Sequence, residues 1–284
     1  MTYLASIIIP AYNEATVINR CLSAIFSGKG PSQFEVIVSC NGCDDNTADV
    51  ARAFPRHVKV LETEIASKPL ALNMADKVAT CFPRVYLDAD LVVSGIDILL
   101  LIQALTHHKK IAACGHMAVN ANASSFWVRA FYNIWPLSPY HDEGKFGGVF
   151  ALSKAGHKRL GEFPHVINDD EFVRRLFNRG EYAHVNECIF QLFAPRNLQD
   201  LVKIRSRVIR GNRELEKLGH ISEKANSFGL LTIANRVVAH PRLWLSFILY
   251  TAINFWVRIK IATPGSGISE RWERDNSSRL KAAG

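Results

Sequence analysis

Short β-branched runs alternate with stretches of helical spacing over the first 110 residues. Residues 5–9 read as a buried strand ending at Pro10, and apolar groups at helical spacing follow through 13–26. The pair of patterns then recurs. Residues 34–39, 58–63 and 84–90 read as strands, and 47–54, 68–79 and 95–105 as the helices that follow them. Strands and helices alternating at this pace predict right-handed βαβ units and a parallel sheet, with ligands outside the carboxyl ends of the strands.

After residue 110 the alternation fades. A strand-like run at 111–119, an aromatic and Pro-rich stretch at 126–140 and a second strand-like run at 147–153 suggest another lobe on the same sheet. From 197 onward the chain reads as helical and basic. Leu243 to Val257 is a run without a charge, bracketed by Arg242 and Arg258. Fifteen helical residues rise about 22 Å, short of a hydrocarbon core of about 30 Å. An interfacial or re-entrant helix held by Trp244, Trp256 and the flanking basic residues is therefore expected ahead of a buried helix or a clean span. The resulting division is 1–215, with halves 1–110 and 111–215, followed by a helical, membrane-associating region at 216–284.

Composition narrows the partners. With 48% hydrophobic and 21% charged residues in 284, the chain can form a packed core and is neither disordered nor collagenous. Residues 1–194 hold 18 basic and 19 acidic side chains, whereas 195–284 hold 16 and 7, so the last third carries the positive excess. That placement fits anionic lipid or phosphate groups, and no nucleic-acid partner is expected. The six cysteines follow no framework spacing, and Met1 opens directly into a strand-like run, so reduced thiols and a cytoplasmic location are expected. Cys40 and Cys43 form a CxxC without a second pair at zinc spacing, so neither a metal nor a redox role is expected of them.

Chemistry concentrates at strand ends. Asp88 and Asp90 are two carboxylates one residue apart at the end of an apolar strand, and each is costly to desolvate unpaired. Hard oxygen donors on a short turn suit Mg²⁺ or Mn²⁺, which complete their shells with water and phosphate oxygens. A solvated turn with helix-capping aspartates has the same sequence. The other strand ends bring Pro10 to Glu14, Asn41 to Asp45, and Lys68.

Taken in order, "SIIIPAYNEATVINRCL", "VIVSCNGCDDNTADVA", "KPLALNMA", "YLDAD", "GGVFALSKAG" and "DDEFVRRLFNRG" resemble a family 2 glycosyltransferase across about residues 4–215. The resemblance implies an α/β GT-A fold: a Rossmann-like, mostly parallel central sheet flanked by helices, here with a helical, basic C-terminal extension. It implies that Pro10, Ala11, Tyr12 and Glu14 line the nucleotide pocket, with Asn41 at a base-contacting position. The family often has Asp there; Asn can bond a uracil edge but brings no charge. Lys68 and Asp88 would approach the donor diphosphate, and Asp88 and Asp90 would hold the metal. Gly147 and Gly148 would lie beside the sugar, where a glycine admits close approach.

The same resemblance assigns the base to the acidic pair. Counting from Asp169 places Phe172, Arg175 and Gly180 at the family's apolar, Arg and Gly positions, whereas counting from Asp170 does not. Asn168 replaces the usual first acidic residue, and Asp170 stays open as the base; adjacent aspartates also favour a helix start. Downstream, "IRSRVIRGN" is similar to a degenerate form of the Arg-containing motif of processive members. Arg205 and Arg207 stand at its arginine positions, while Ile204 and Val208 replace Gln and Trp, which argues against a processive polymerase. These arginines could clamp a diphosphate or form a solvated helix face.

The expectation is a metal-dependent, inverting glycosyltransferase at the cytoplasmic side of the cell membrane, peripheral or weakly integral. Its donor would be a nucleotide sugar, a UDP-sugar in the first instance. The acceptor would be a glycan or lipid-linked precursor of the cell envelope or an exopolysaccharide, met at an anionic membrane surface. Alternatives are a catalytically silent glycosyltransferase-like scaffold and a sugar nucleotidyltransferase, which would carry a Gly-rich basic loop where this chain has "PAYNEAT". No GxGxxG, phosphate-loop or nucleophile-elbow motif occurs.

Overall fold

The computed structural model describes residues 3–27, 33–107, 109–142, 144–220 and 229–262. Expectations for 221–228 and 263–284 lie outside the described residues. Two compact units interleave along the chain: Met1–Ala118, Gly144–His165 and Asp169–Leu192 form one, and Val119–Glu143, Val166–Asn168 and Phe193–Gly284 the other.

The first unit contains β1 (Ala5–Ala11), α1 (Ile18–Ile25), β2 (Phe34–Asn41), α2 (Thr47–Arg52), β3 (Lys59–Thr63), α3 (Lys68–Val78), β4 (Arg84–Leu87), β5 (Val92–Val93) and α4 (Gly95–His107). Most of β6 (Ala112–Asn120) belongs to it. The second unit receives α5 (Phe126–Ile134), a 3₁₀ turn and α6 (Pro139–Asp142). The chain returns to the first unit with β7 (Val149–Leu152), α7 (Lys154–Leu160), α8 (Asp169–Arg175) and β8 (Tyr182–Phe193). It ends in the second with α9 (Leu198–Lys217), α10 (Gly229–Val238), a 3₁₀ turn at Pro241–Leu243 and α11 (Trp244–Ala262).

The eight strands form one sheet in the order β3-β2-β1-β4-β7-β6-β8-β5. β3, β2, β1 and β4 are parallel, β7 opposes β4, and β6 opposes β7 and so resumes the common direction. This is the mostly parallel α/β sheet expected, with a helical C-terminal region. Every residue of β1 and β2 is buried, because helices cover both faces and no side of the strand meets water. Ile7 and Ile9 join one core with Leu22 and Leu101; Ile8 joins the other with Leu72 and Tyr86. Burying each such side chain contributes about 1.5–3 kcal/mol.

α3 is tied to β4 by a buried polar network. Arg84 Nη1 donates to Asp76 Oδ1 at 2.6 Å and the Tyr86 hydroxyl donates to the same oxygen at 3.0 Å. Ser67 caps the helix by accepting from the Leu70 N–H, and Pro69 stands in the first turn, where its missing N–H is harmless. Together these contacts fix Lys68 at the helix start.

In the second unit α11 packs on α5 and α9. Phe131 and Tyr250 lie with ring centroids 4.9 Å apart, Asn133 Nδ2 donates to Ser246 Oγ at 3.5 Å, and Arg205 donates to Asn254 Oδ1 at 3.2 Å. Three features depart from the sequence pattern. β8 was not foreseen, because its buried Cys188 and Phe190 alternate with exposed positions only after His184, Asn186 and Glu187 have interrupted the pattern. The stretch 126–140 becomes short helices. Counting its 3₁₀ entry, the apolar C-terminal helix runs from Pro241 to Ala262, 22 residues, and is long and apolar enough to cross a membrane.

Candidate functional site

A pocket opens at the carboxyl ends of β1 and β4, lined by Pro10, Lys68, Leu72, Tyr86, Asp88, Gly148, Phe150, Asp169 and Asp170. β4 delivers Asp88 at its tip, where the Asp88 N–H donates to the Gly148 carbonyl at 2.9 Å. A turn closed by the Leu91 N–H on the Asp88 carbonyl, at 3.2 Å, then carries Asp90. α3 supplies Lys68 from one side. α8 supplies Asp169 and Asp170 from its first turn, and Glu171 braces that helix by bonding both Arg174 and Arg175. Glu171 was not singled out from the sequence; its spacing of three and four residues from the arginines was the available signal.

The Lys68 ammonium bridges the site. Its Nζ lies 2.8 Å from Asp88 Oδ1 and 3.0 Å from Asp169 Oδ2. Burial alone would lower the pKa of this lysine, but Asp169, Asp88 and Asp170 together hold it above its ordinary value. Asp169 is pushed the other way from most carboxylates. Its burial outweighs the attraction of Lys68, and repulsion by Asp170 and Asp88 adds to the burial, so its pKa stands at about 6. Asp170 is less buried, and its Oδ1 accepts from the Glu171 N–H at 2.7 Å.

The two glycines leave space beside these carboxylates. A Cβ on Gly147 would stand 3.2 Å from Asp170 Oδ2. Gly148 has φ +83°, and a Cβ there would meet Leu91 Cδ1 at 2.4 Å and Asp88 Oδ2 at 3.4 Å. The positive φ strains any other residue type at that position, and the Leu91 side-chain tip would have to shift to admit one.

Ala11, Glu14 and Asn41 are placed differently. All three are buried: Asn41 Nδ2 donates to the Ala11 carbonyl at 2.9 Å, and the Glu14 N–H donates to Thr47 Oγ1 at 2.7 Å. They lace the β1 and β2 tips together, with Tyr12 half-buried between Ala11 and Asn13. Arg205 and Arg207 lie on α9 in the second unit. Burial lowers the pKa of Arg205, whose guanidinium lies over the Phe131 ring and bonds Asn254. Asn168 donates to the Val208 carbonyl and to Asn212 Oδ1, each at 3.0 Å. An acidic side chain could not make the first of these bonds, which accounts physically for an amide there.

Asp88 and Asp90 suit a hard divalent cation. Asp88 lines the pocket with its side chain 37% exposed, and Asp90 follows on the same turn outside the pocket lining, its carbonyl accepting from Arg20 Nη2 at 3.0 Å. Among the described residues no three acidic, histidine or cysteine side chains form a metal cage. Mg²⁺ and Mn²⁺ need only one or two protein carboxylates beside phosphate and water.

The chain resembles known proteins at three levels. It is 50% identical over 50 residues to the glycosyltransferase AglE of Haloferax volcanii, covering 17% of this chain and 16% of that protein. It is 26% identical over 224 residues to the chondroitin synthase of Escherichia coli, covering 62% of this chain and 32% of that one. The chain thus spans about a third or less of the length of either relative. In three dimensions it is similar to the mannosyltransferase PcManGT of Pyrobaculum calidifontis, solved in complex with GDP-Man and Mn²⁺; the TM-score is 0.62 at 20% identity, over 91% of this chain and 76% of that one. Residues 6–164, more than half of the chain, match the family described as glycosyl transferase family 2, and the chain belongs to that family.

Proposed function

We propose that this protein transfers a sugar from a nucleotide sugar, a UDP-sugar in the first instance, to an acceptor hydroxyl with inversion at the anomeric carbon. The observation that carries the reading is the single ammonium of Lys68 shared by Asp88 and Asp169, which joins a diphosphate-type site to a carboxylate of raised pKa. An ammonium has three donors, and two are taken here, so the third is left for a donor phosphate oxygen. Asp169, with a pKa near 6, is mostly ionised at neutral pH yet more basic than an ordinary aspartate. It would accept the acceptor hydroxyl proton as the oxygen attacks the anomeric carbon and the bond to the diphosphate breaks. Gly147 and Gly148 would leave room for the sugar. A Mg²⁺ or Mn²⁺ ion held by Asp88 and Asp90 would neutralise charge on the departing diphosphate.

The mannosyltransferase complex with GDP-Man and Mn²⁺ supports a nucleotide-sugar donor and a divalent ion. The second reading of the base is Asp170, favoured by its greater exposure and by the nearness of its Oδ2 to Gly147. A membrane-borne acceptor, a lipid-linked or cell-envelope glycan precursor met at the cytoplasmic face, is supported by the basic C-terminal third and the apolar α11. The test is a panel of UDP- and GDP-sugars with Mn²⁺, read by nucleoside diphosphate release and product mass. Release is expected from the wild type, with Asp169→Asn and Asp90→Ala both inactive. Equal turnover by Asp169→Asn would move the base to Asp170, and no release from any donor would leave the silent-scaffold alternative.

A further inference from the structure

The outward face of α11 is apolar without interruption. Trp244, Leu245, Ile248, Phe255, Trp256 and Ile259 are each between 47% and 65% exposed. At 100° per residue they fall on one stripe about 120° wide. From typical side-chain areas the stripe exposes roughly 600 Å² or more, beyond the few hundred Å² usual for a monomer. Arg242 and Lys260 flank it on one side and Arg258 on the other. Residues 229–262 contain four basic side chains and no acidic one.

The inward face is of another kind. Ser246, Tyr250, Ile253 and Val257 are buried, and Asn254 accepts from Arg205. Turning this helix into a membrane span would strip those polar partners, leave the Arg205 guanidinium of α9 without Asn254 and carry Ser246 and Asn254 into lipid. Pairing with a second copy would bring two basic rims together. An anionic lipid surface satisfies both stripe and rim, with tryptophans at headgroup depth.

We propose that the second unit docks on an anionic bilayer with α11 lying in the membrane plane, its stripe in the acyl boundary and Arg242, Arg258 and Lys260 among the headgroups. This deepens the membrane-borne acceptor reading, and it is tested without donor or acceptor, so its failure leaves the transfer reaction untouched. The purified full chain is mixed with phosphatidylcholine vesicles, with or without phosphatidylglycerol, and sedimented at low salt and at about 1 M salt.

About a hundredfold tighter binding to the anionic vesicles is expected, lost at high salt and released by alkaline carbonate, as three basic groups at about 1 kcal/mol each imply. Ile248→Glu with Phe255→Glu should weaken binding at least about tenfold, since two large apolar side chains leave the lipid. Arg242→Glu with Arg258→Glu, which leaves the packed face intact, should abolish the lipid preference while circular dichroism stays that of the wild type. Equal binding to neutral and anionic vesicles, retention through carbonate, or a dimer in solution that the Glu substitutions dissociate would each overturn the proposal.

Discussion

Replacing Lys68 by Met removes the cation between Asp88 and Asp169 and keeps the length of the side chain. Lys68 lies 3.0 Å from Asp169, where opposite unit charges attract by about 5 kcal/mol at an effective dielectric of about 20. Counting only half of that for solvent at the pocket mouth leaves about 2–3 kcal/mol, or about two pKa units. Asp169 would then move from about 6 to about 8 or above. A base must be deprotonated to act, so activity falls as pH drops through that value. The assay is kcat/KM for transfer against pH, which reports the free enzyme. The wild type should lose activity below about pH 6, whereas the Met variant should lose it below about 8 and regain about tenfold between pH 7 and 9. Loss of a phosphate contact lowers the whole curve but leaves its midpoint in place. A Met variant whose midpoint stays near 6 would refute the bridge as the control on Asp169.

Further outcomes follow from the same geometry. Because burial raises the Asp169 pKa from 3.8 to about 6, its contribution to stability is full below about pH 4 and lost as pH rises through 6; Asp169→Asn should therefore raise unfolding free energy at pH 7.5 by about 1–3 kcal/mol in a denaturant titration while abolishing transfer. Gly148→Ala combines φ +83° with a 2.4 Å clash on Leu91 and should cost about 2–3 kcal/mol, whereas Gly161→Ala, at φ +66° with nothing within 4 Å, should cost about 1 kcal/mol; thermal melts compare the two. Asn168→Asp restores the residue type usual for the family but turns two acceptors toward the Val208 carbonyl, so it should lower stability by about 1–3 kcal/mol at pH 7.5 and less at pH 4.

Much of the fold was legible because burial on both faces leaves a direct imprint. Residues 5–9 are apolar throughout since helices cover the strand on either side, and the helix from Lys68 is announced by Ser67 and Pro69. β8 was not legible, because this half-exposed strand places His184, Asn186 and Glu187 ahead of its buried Cys188 and Phe190 and so breaks the period. Nor could the run from Leu243 say which of its sides packs, since the stripe facing solvent is as apolar as a core.

By itself the sequence determined the alternation of strands and helices over the first 110 residues, the residues with chemistry to offer and the charge of the last third, because these depend on neighbours a few positions apart. Only the tertiary structure decided that Lys68, Asp88 and Asp169 meet at one ammonium while the Asn41 side chain bonds the end of β1. Burial, which raises the pKa of Asp169, and Lys68 and Asp88, which act on it from far away in the chain, come from the fold, because a pKa depends on what surrounds the group in space.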